Sequence, residues 1–142
     1  MMRRFAVVAL LALLAGSPGC AYFATYGPLE QAPADTLVAK DVPVPQGFKL
    51  DKTNSWKHER SSFRQLQLVY RRSEYLSEDR VREFFKSEYP QAGWELTFLW
   101  GLDETKMIFT KDDEECLVRI FEDFGDRFTQ VEIGRASCRE RV

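Results

Sequence analysis

The sequence predicts an α+β fold of two layers, one helix packed on an antiparallel sheet, in the order β-β-β-α-β-β-β-β with the last strand truncated. Three observations predict it. Only the segment 76–89 carries a helical period, with Val81, Phe84, Phe85 and Tyr89 on one apolar stripe. On either side of it apolar and polar residues alternate at a period of two, as they do in strands with one wet face. The alternating segments are separated by short turns rich in Gly, Asp and Glu, which join antiparallel neighbours.

The elements follow in chain order. Pro43 and Pro45 mark an extended entry, and 47–50 is a short strand. Residues 55–59 and 63–72 make a hairpin around the polar turn 60–62. In its second strand Leu66, Leu68 and Tyr70 share one face, while Gln65, Gln67 and Arg71 share the other with Val69. The helix starts at the N-cap Ser77, with Glu78 and Asp79 in its first turn and a hydrophobic staple between Leu76 and Val81. Arg80, Arg82, Glu83 and Lys86 face outward, and Pro90 and Gly93 end it.

Four strands then form a meander: 94–100, 105–111, 116–122 and 127 to the point of truncation. Trp94, Leu96, Phe98 and Trp100 are read as one core face, which Met107, Phe109, Cys116, Val118 and Ile120 continue. The turns are 101–104, 112–115 and 123–126.

At the N-terminus, Arg3 and Arg4 precede an apolar run over 5–14, and Ala15-Gly16-Ser17-Pro18-Gly19 leads to Cys20. The run is too short to cross a bilayer as a mature helix. This layout resembles the signal of bacterial lipoproteins, with a lipobox-like Ser-Pro-Gly-Cys in which Ser17 stands where leucine is usual. The resemblance implies a signal peptide over 1–19, lipid on Cys20 and export to the cell envelope. Ala21 after the cysteine resembles the class sorted to the periplasmic face of the outer membrane in cells with two membranes. Residues 20–40, broken by Gly27, Pro28 and Pro33, read as a lipid-anchored flexible tether, with Tyr22, Phe23 and Tyr26 beside the lipid site. The globular domain is then 41–132.

Residues 133–142 resemble a translated sequencing adapter in reverse complement, which implies that the native sequence is cut off near Val131, with the domain truncated, and that this tail is an artefact. Setting aside Arg3, Arg4, Arg135, Arg139, Arg141 and Glu140 leaves 15 basic against 21 acidic side chains, a net charge of −6. That balance excludes a nucleic-acid or anionic-membrane partner held by charge alone. Cys116 is then the one thiol of the domain, a buried small hydrophobe rather than a nucleophile.

The element Pro45-Gln46-Gly47-Phe48, the helix of Phe84 and Phe85 leading to Gly93-Trp94, and Phe109-Thr110-Lys111 before Cys116-Leu117-Val118 resemble a group of small bacterial lipoprotein domains of uncharacterised role. The resemblance spans most of 43–122 and supports the fold; it implies no activity.

Catalytic chemistry has few residues to use. His58 is the single histidine, so no histidine pair can hold zinc, and no glycine elbow or phosphate loop accompanies Ser55, Ser61 or Ser62. Asp112, Asp113, Glu114 and Glu115 are the one run able to offer oxygens to a hard cation. They lack the alternating ligand spacing of a calcium loop and read as a solvated turn. No cofactor is implied.

The function expected is therefore a non-enzymatic interaction domain, anchored to the membrane through Cys20 and contacting an envelope protein. Its candidate surface is Gln65, Gln67, Val69, Leu99, Leu117 and Phe121, where apolar residues fall out of phase with the core. A module holding a lipid, peptide or glycan between helix and sheet is the alternative, and an envelope hydrolase stands behind both.

Overall fold

The computed structural model describes residues 27–60, 63–102, 104–123 and 128–137. Its elements are β1 (Lys49–Leu50), β2 (Trp56–Arg60), β3 (Phe63–Arg72), α1 (Glu78–Gln91), β4 (Glu95–Gly101), β5 (Thr105–Lys111), β6 (Glu114–Asp123) and β7 (Phe128–Ser137). One helix packs against one seven-stranded antiparallel sheet, the α+β arrangement expected from the alternation. Across the sheet the order is β1-β3-β7-β6-β5-β4, with β2 beside β1 on the same edge of β3.

Strand β7 lies at the centre, although it comes last in the chain. It pairs along its length with both β3 and β6, so its backbone donors and acceptors are used on both sides. The alternation Thr129, Val131, Ile133 is fully buried. The strand runs to Ser137, so its last five residues, 133–137, belong to the tail that the adapter resemblance sets apart. Because β3 and β4 lie far apart in the sheet, α1 spans the face between them and the meander β4-β5-β6-β7 leads back to β3.

The stripe on α1 is buried as its spacing requires. Val81, Phe85 and Tyr89 are wholly buried and Phe84 nearly so, packed on Met107, Phe109, Cys116, Val118 and Ile120. Tyr89 meets Phe109 at 4.5 Å between ring centroids and Phe85 at 5.1 Å, distances at which aromatic pairs attract beyond simple area burial.

The two ends of the helix are held differently. At the start, Ser77 occupies the N-cap position but its hydroxyl caps nothing. The Glu78 N–H instead donates to the carboxylate of Glu122 on β6, which also accepts from the Tyr75 hydroxyl at 3.4 Å. Thr129 on β7 accepts from the Leu76 N–H at 3.1 Å and donates back to its carbonyl at 3.0 Å. The cap expected from Ser77 is therefore supplied by the sheet.

At its other end, Pro90 sits within the last turn and the helix stops one residue later. Gly93 takes φ +88°, the Gly93 N–H donates to the Pro90 carbonyl at 3.0 Å, and the Trp94 N–H to the Tyr89 carbonyl at 3.0 Å. This is a Schellman stop, completed by the contact between the Trp94 and Tyr89 rings.

The segment before β1 differs from the tether expected over 20–40. From Leu29 onward it packs on the core: Ala39, Val42 and Val44 are buried, and Leu29, Leu37 and Val38 lie against them. Gln31 bridges Pro45, and Ala34–Thr36 forms a 3-10 turn. Prolines stop this stretch from forming regular elements, yet they leave its apolar side chains free to cover the sheet.

Ion pairs close it down. Arg64 donates to both carboxylate oxygens of Asp41 at 3.1 and 3.0 Å and to Glu114 at 3.2 Å, while Trp94 Nε1 donates to the Asp41 carbonyl at 2.7 Å. Residues 20–26, Ser61, Ser62 and 138–142 lie outside the described residues, as does the signal 1–19.

Two stability measurements check these roles. Glu122→Ala lowers the urea-unfolding free energy by about 1–2 kcal/mol, as loss of a helix cap does, whereas Ser77→Ala changes it by less than about 0.5 kcal/mol. Gly93→Ala costs about 1–2 kcal/mol, because a side chain is forced into the left-handed region and its Cβ meets the Lys111 side chain at 3.3 Å.

Candidate functional site

Paired residues in an antiparallel ladder share a face, so the registers assign every strand residue to a side. One side is the core under α1. On the other, Trp56 of β2 pairs Gln67 of β3, Gln67 pairs Gly134 of β7, Gly134 pairs Leu117 of β6, Leu117 pairs Ile108 of β5, and Ile108 pairs Phe98 of β4. A single row therefore crosses the whole sheet on the side away from the helix. It is apolar at both ends and carries an amide beside a bare backbone position near its middle.

The expected core face of β4 is corrected here. The β4–β5 register shifts between Leu96 and Phe98, a bulge at Thr97. Before it, Leu96 pairs Phe109 and points to the core; after it, Phe98 pairs Ile108 and Trp100 pairs Lys106 on the outer side. Phe98 and Trp100 are accordingly 47% and 52% exposed, while Trp94 is buried at 2%. One extra residue moves both aromatics out of the core.

The candidate surface read from the sequence is only partly assembled. Gln65 and Gln67 are exposed, and Leu117 and Phe121 are half-buried on the same outer side. Leu99 is exposed but pairs Met107, so the bulge places it on the helix side at the sheet edge.

Val69 is on the outer side yet buried. The 51–55 link folds against it: the Asp51 N–H donates to the Val69 carbonyl at 2.8 Å, and Ser55 Oγ accepts from the Val69 N–H at 2.9 Å. Phe98, Trp100 and Trp56 are the members missed. For Trp56 a signal existed, since the tight link pairing Arg60 with Phe63 forces Trp56 opposite Gln67; for the other two nothing local announces the bulge.

A shallow groove of about 260 Å³ runs along this face, with Trp56, Gln65 and Gln67 on one wall and Glu115 and Leu117 on the other, over Gly134. A Cβ at Gly134 would meet nothing within 4 Å, so it is the missing side chain that leaves the groove open. Beside it, Arg119 pairs with Glu132 at 3.1 Å and Glu104 at 2.9 Å, and its guanidinium lies 4.7 Å from the Phe121 ring centre. Lys106 at 2.7 Å and then Arg119 hold the Glu104 carboxyl below the usual carboxylate range. The charges of Arg119, Lys106, Glu104 and Glu132 are thus spent on one another, which leaves the aromatic and amide groups and the exposed Glu115 carboxylate as the available contacts.

The remaining candidates do not converge. Asp112 and Asp113 form the exposed β5–β6 turn, Asp112 at φ 52°, while Glu114 is engaged by Arg64 and Glu115 lies on the groove wall. Among the described residues no group of three His, Cys, Asp or Glu side chains is placed to hold a metal ion. His58 is exposed on β2 opposite Gln65, and Ser55 is committed to Val69. Cys116 is wholly buried, and burial pushes its thiol up to about 12. Cys20 lies outside the described residues, among which no helix is long and apolar enough to cross a membrane.

The state of Cys116 is directly measurable. With its pKa raised, the thiol stays protonated at about pH 8, so iodoacetamide leaves Cys116 unmodified in the folded chain and alkylates it fully in urea, as read by peptide mass spectrometry.

Comparison of the chain with protein-family models, with curated proteins and with solved structures gives no match.

Proposed function

We propose that this chain is an exported bacterial envelope protein anchored by lipid on Cys20, whose domain is a non-enzymatic interaction module. We read the domain as two layers, with the helix layer closed against the core and the outer side of the sheet open to a partner. The single observation that carries the reading is that open side, where Trp56, Phe98 and Trp100 stand exposed among Gln65, Gln67, Leu117 and Phe121. An aromatic surface left uncovered by the described residues is characteristic of protein contacts. The anchor is supported by the signal-like residues 1–19 and the cysteine that follows them.

The groove favours a second reading, a glycan or peptide ligand. Trp56 beside the amides of Gln65 and Gln67 and the carboxylate of Glu115 offers a ring for stacking and polar groups for hydrogen bonds. A ligand between helix and sheet is not favoured, because Tyr89, Trp94 and Phe109 fill that space with their own rings.

Two experiments test the proposal. Cells fed a labelled fatty acid incorporate it into the wild-type chain and not into Cys20→Ser; equal incorporation in both sinks the anchor. Cross-linking in membranes captures one envelope protein in stoichiometric amount, and Leu117→Lys reduces the capture at least about tenfold with an unchanged circular dichroism spectrum. Undiminished capture by Leu117→Lys removes the outer side as the contact, and copurifying glycan or peptide would replace the protein partner by the groove ligand.

A further inference from the structure

The two edges of the sheet are built in opposite ways. At one, β2 presents Lys57, His58, Glu59 and Arg60 in succession, all exposed. Charges of this kind discourage a further strand. At the other, β4 carries no charge after Glu95, and Phe98, Leu99, Trp100 and the following Leu102 are 47, 45, 52 and 81% exposed. Among the described residues only β5 pairs β4. An apolar edge of that kind is a template for another strand.

We propose that β4 is the contact between two copies of this chain, paired antiparallel about a twofold axis at Leu99 so that the two sheets join edge to edge. Such an axis sets Leu99 opposite its own mate on the helix side and Phe98 opposite Trp100 of the second copy on the outer side, twice by symmetry. Faces are preserved, because Phe98 and Trp100 already share a side through Ile108 and Lys106. The cross-strand pairs formed are aromatic on aromatic and leucine on leucine, the combinations that stabilise ladders.

Charge selects a second copy as the occupant. Residues 41–132 carry 14 basic and 19 acidic side chains, a net charge of −5, so an interface between identical copies must avoid acidic groups, and the stretch 96–102 contains none. The exposed parts of Phe98, Leu99, Trp100 and Leu102 amount to about 450 Å² per copy and about 900 Å² in all, of which edge pairing covers a part and leaves the outer face open, so the contact is a small one. The bulge at Thr97 limits regular pairing to the residues after it, which keeps the contact short. The expected dimer is therefore of modest affinity, with a dissociation constant of about 1–100 µM.

The test uses the full chain. Sedimentation of the detergent-solubilised protein at about 100 µM gives twice the protomer mass, and Trp100→Lys gives the single mass with an unchanged circular dichroism spectrum. In membranes, with Cys138→Ser as the parent, mild oxidation of Leu99→Cys yields a disulfide-linked dimer above the parent background, since a residue on the axis meets itself. His58→Cys, on the charged edge, yields no increase. A single mass for the wild type, a dimer that survives Trp100→Lys, or cross-linking of Leu99→Cys to a different protein would each overturn the proposal. Leu117→Lys keeps the dimer whether or not it loses the envelope partner, so the two readings fail separately.

Discussion

The cluster of rings where α1 meets the sheet is the contact on which the other parts of the fold depend. Tyr89 of the last helical turn touches both Phe85 and Phe109, and Trp94 lies against Tyr89 as the residue that completes the helix stop. Trp94 also immediately precedes β4, so the same ring that ends the helix fixes where the meander starts. Its indole N–H holds the Asp41 carbonyl, and the Asp41 carboxylate is gripped by Arg64 of β3, which ties the segment before β1 to the cluster as well. Helix, meander and N-terminal segment thus share one anchor.

The interior is closely filled by the core cluster. The helix side of the sheet is filled by the chain's own residues, and its one thiol is neutral and shielded. The bulge at Thr97 decides what β4 contributes to the outer side and to the edge of the sheet. The bulge turns Phe98 and Trp100 outward and leaves Leu99 on the helix side beyond the cover of α1. Restoring regular pairing there would return two aromatics to the core and remove them from both surfaces.

Legibility from the sequence divides at this point. The helix was readable because its stripe, its acidic first turn and the glycine at its end are all local signals, and α1 buries Val81, Phe84, Phe85 and Tyr89 as the spacing requires. The polar side of β3 was readable for the same reason, and Gln65 and Gln67 lie on it. Three other features were not readable. Val69 is covered by a link whose path depends on Ser55, and Glu122 caps a helix 44 residues away in sequence. The segment from Leu29 to Val44 looks like a linker because its prolines hide apolar residues that find partners only once the sheet exists.

By itself the sequence determined the type and sequential placement of the main elements, the stripe of α1 and its stop at Gly93, because period and backbone preference act within a few residues. The tertiary structure decided the position of β7 between β3 and β6, the side taken by Phe98 and Trp100, and the capture of the N-terminal segment. Each of these is a choice among long-range pairings that local sequence leaves nearly equal. They are resolved only when many backbone hydrogen bonds and buried side chains are satisfied together, and that collective satisfaction decides which side chains are left exposed.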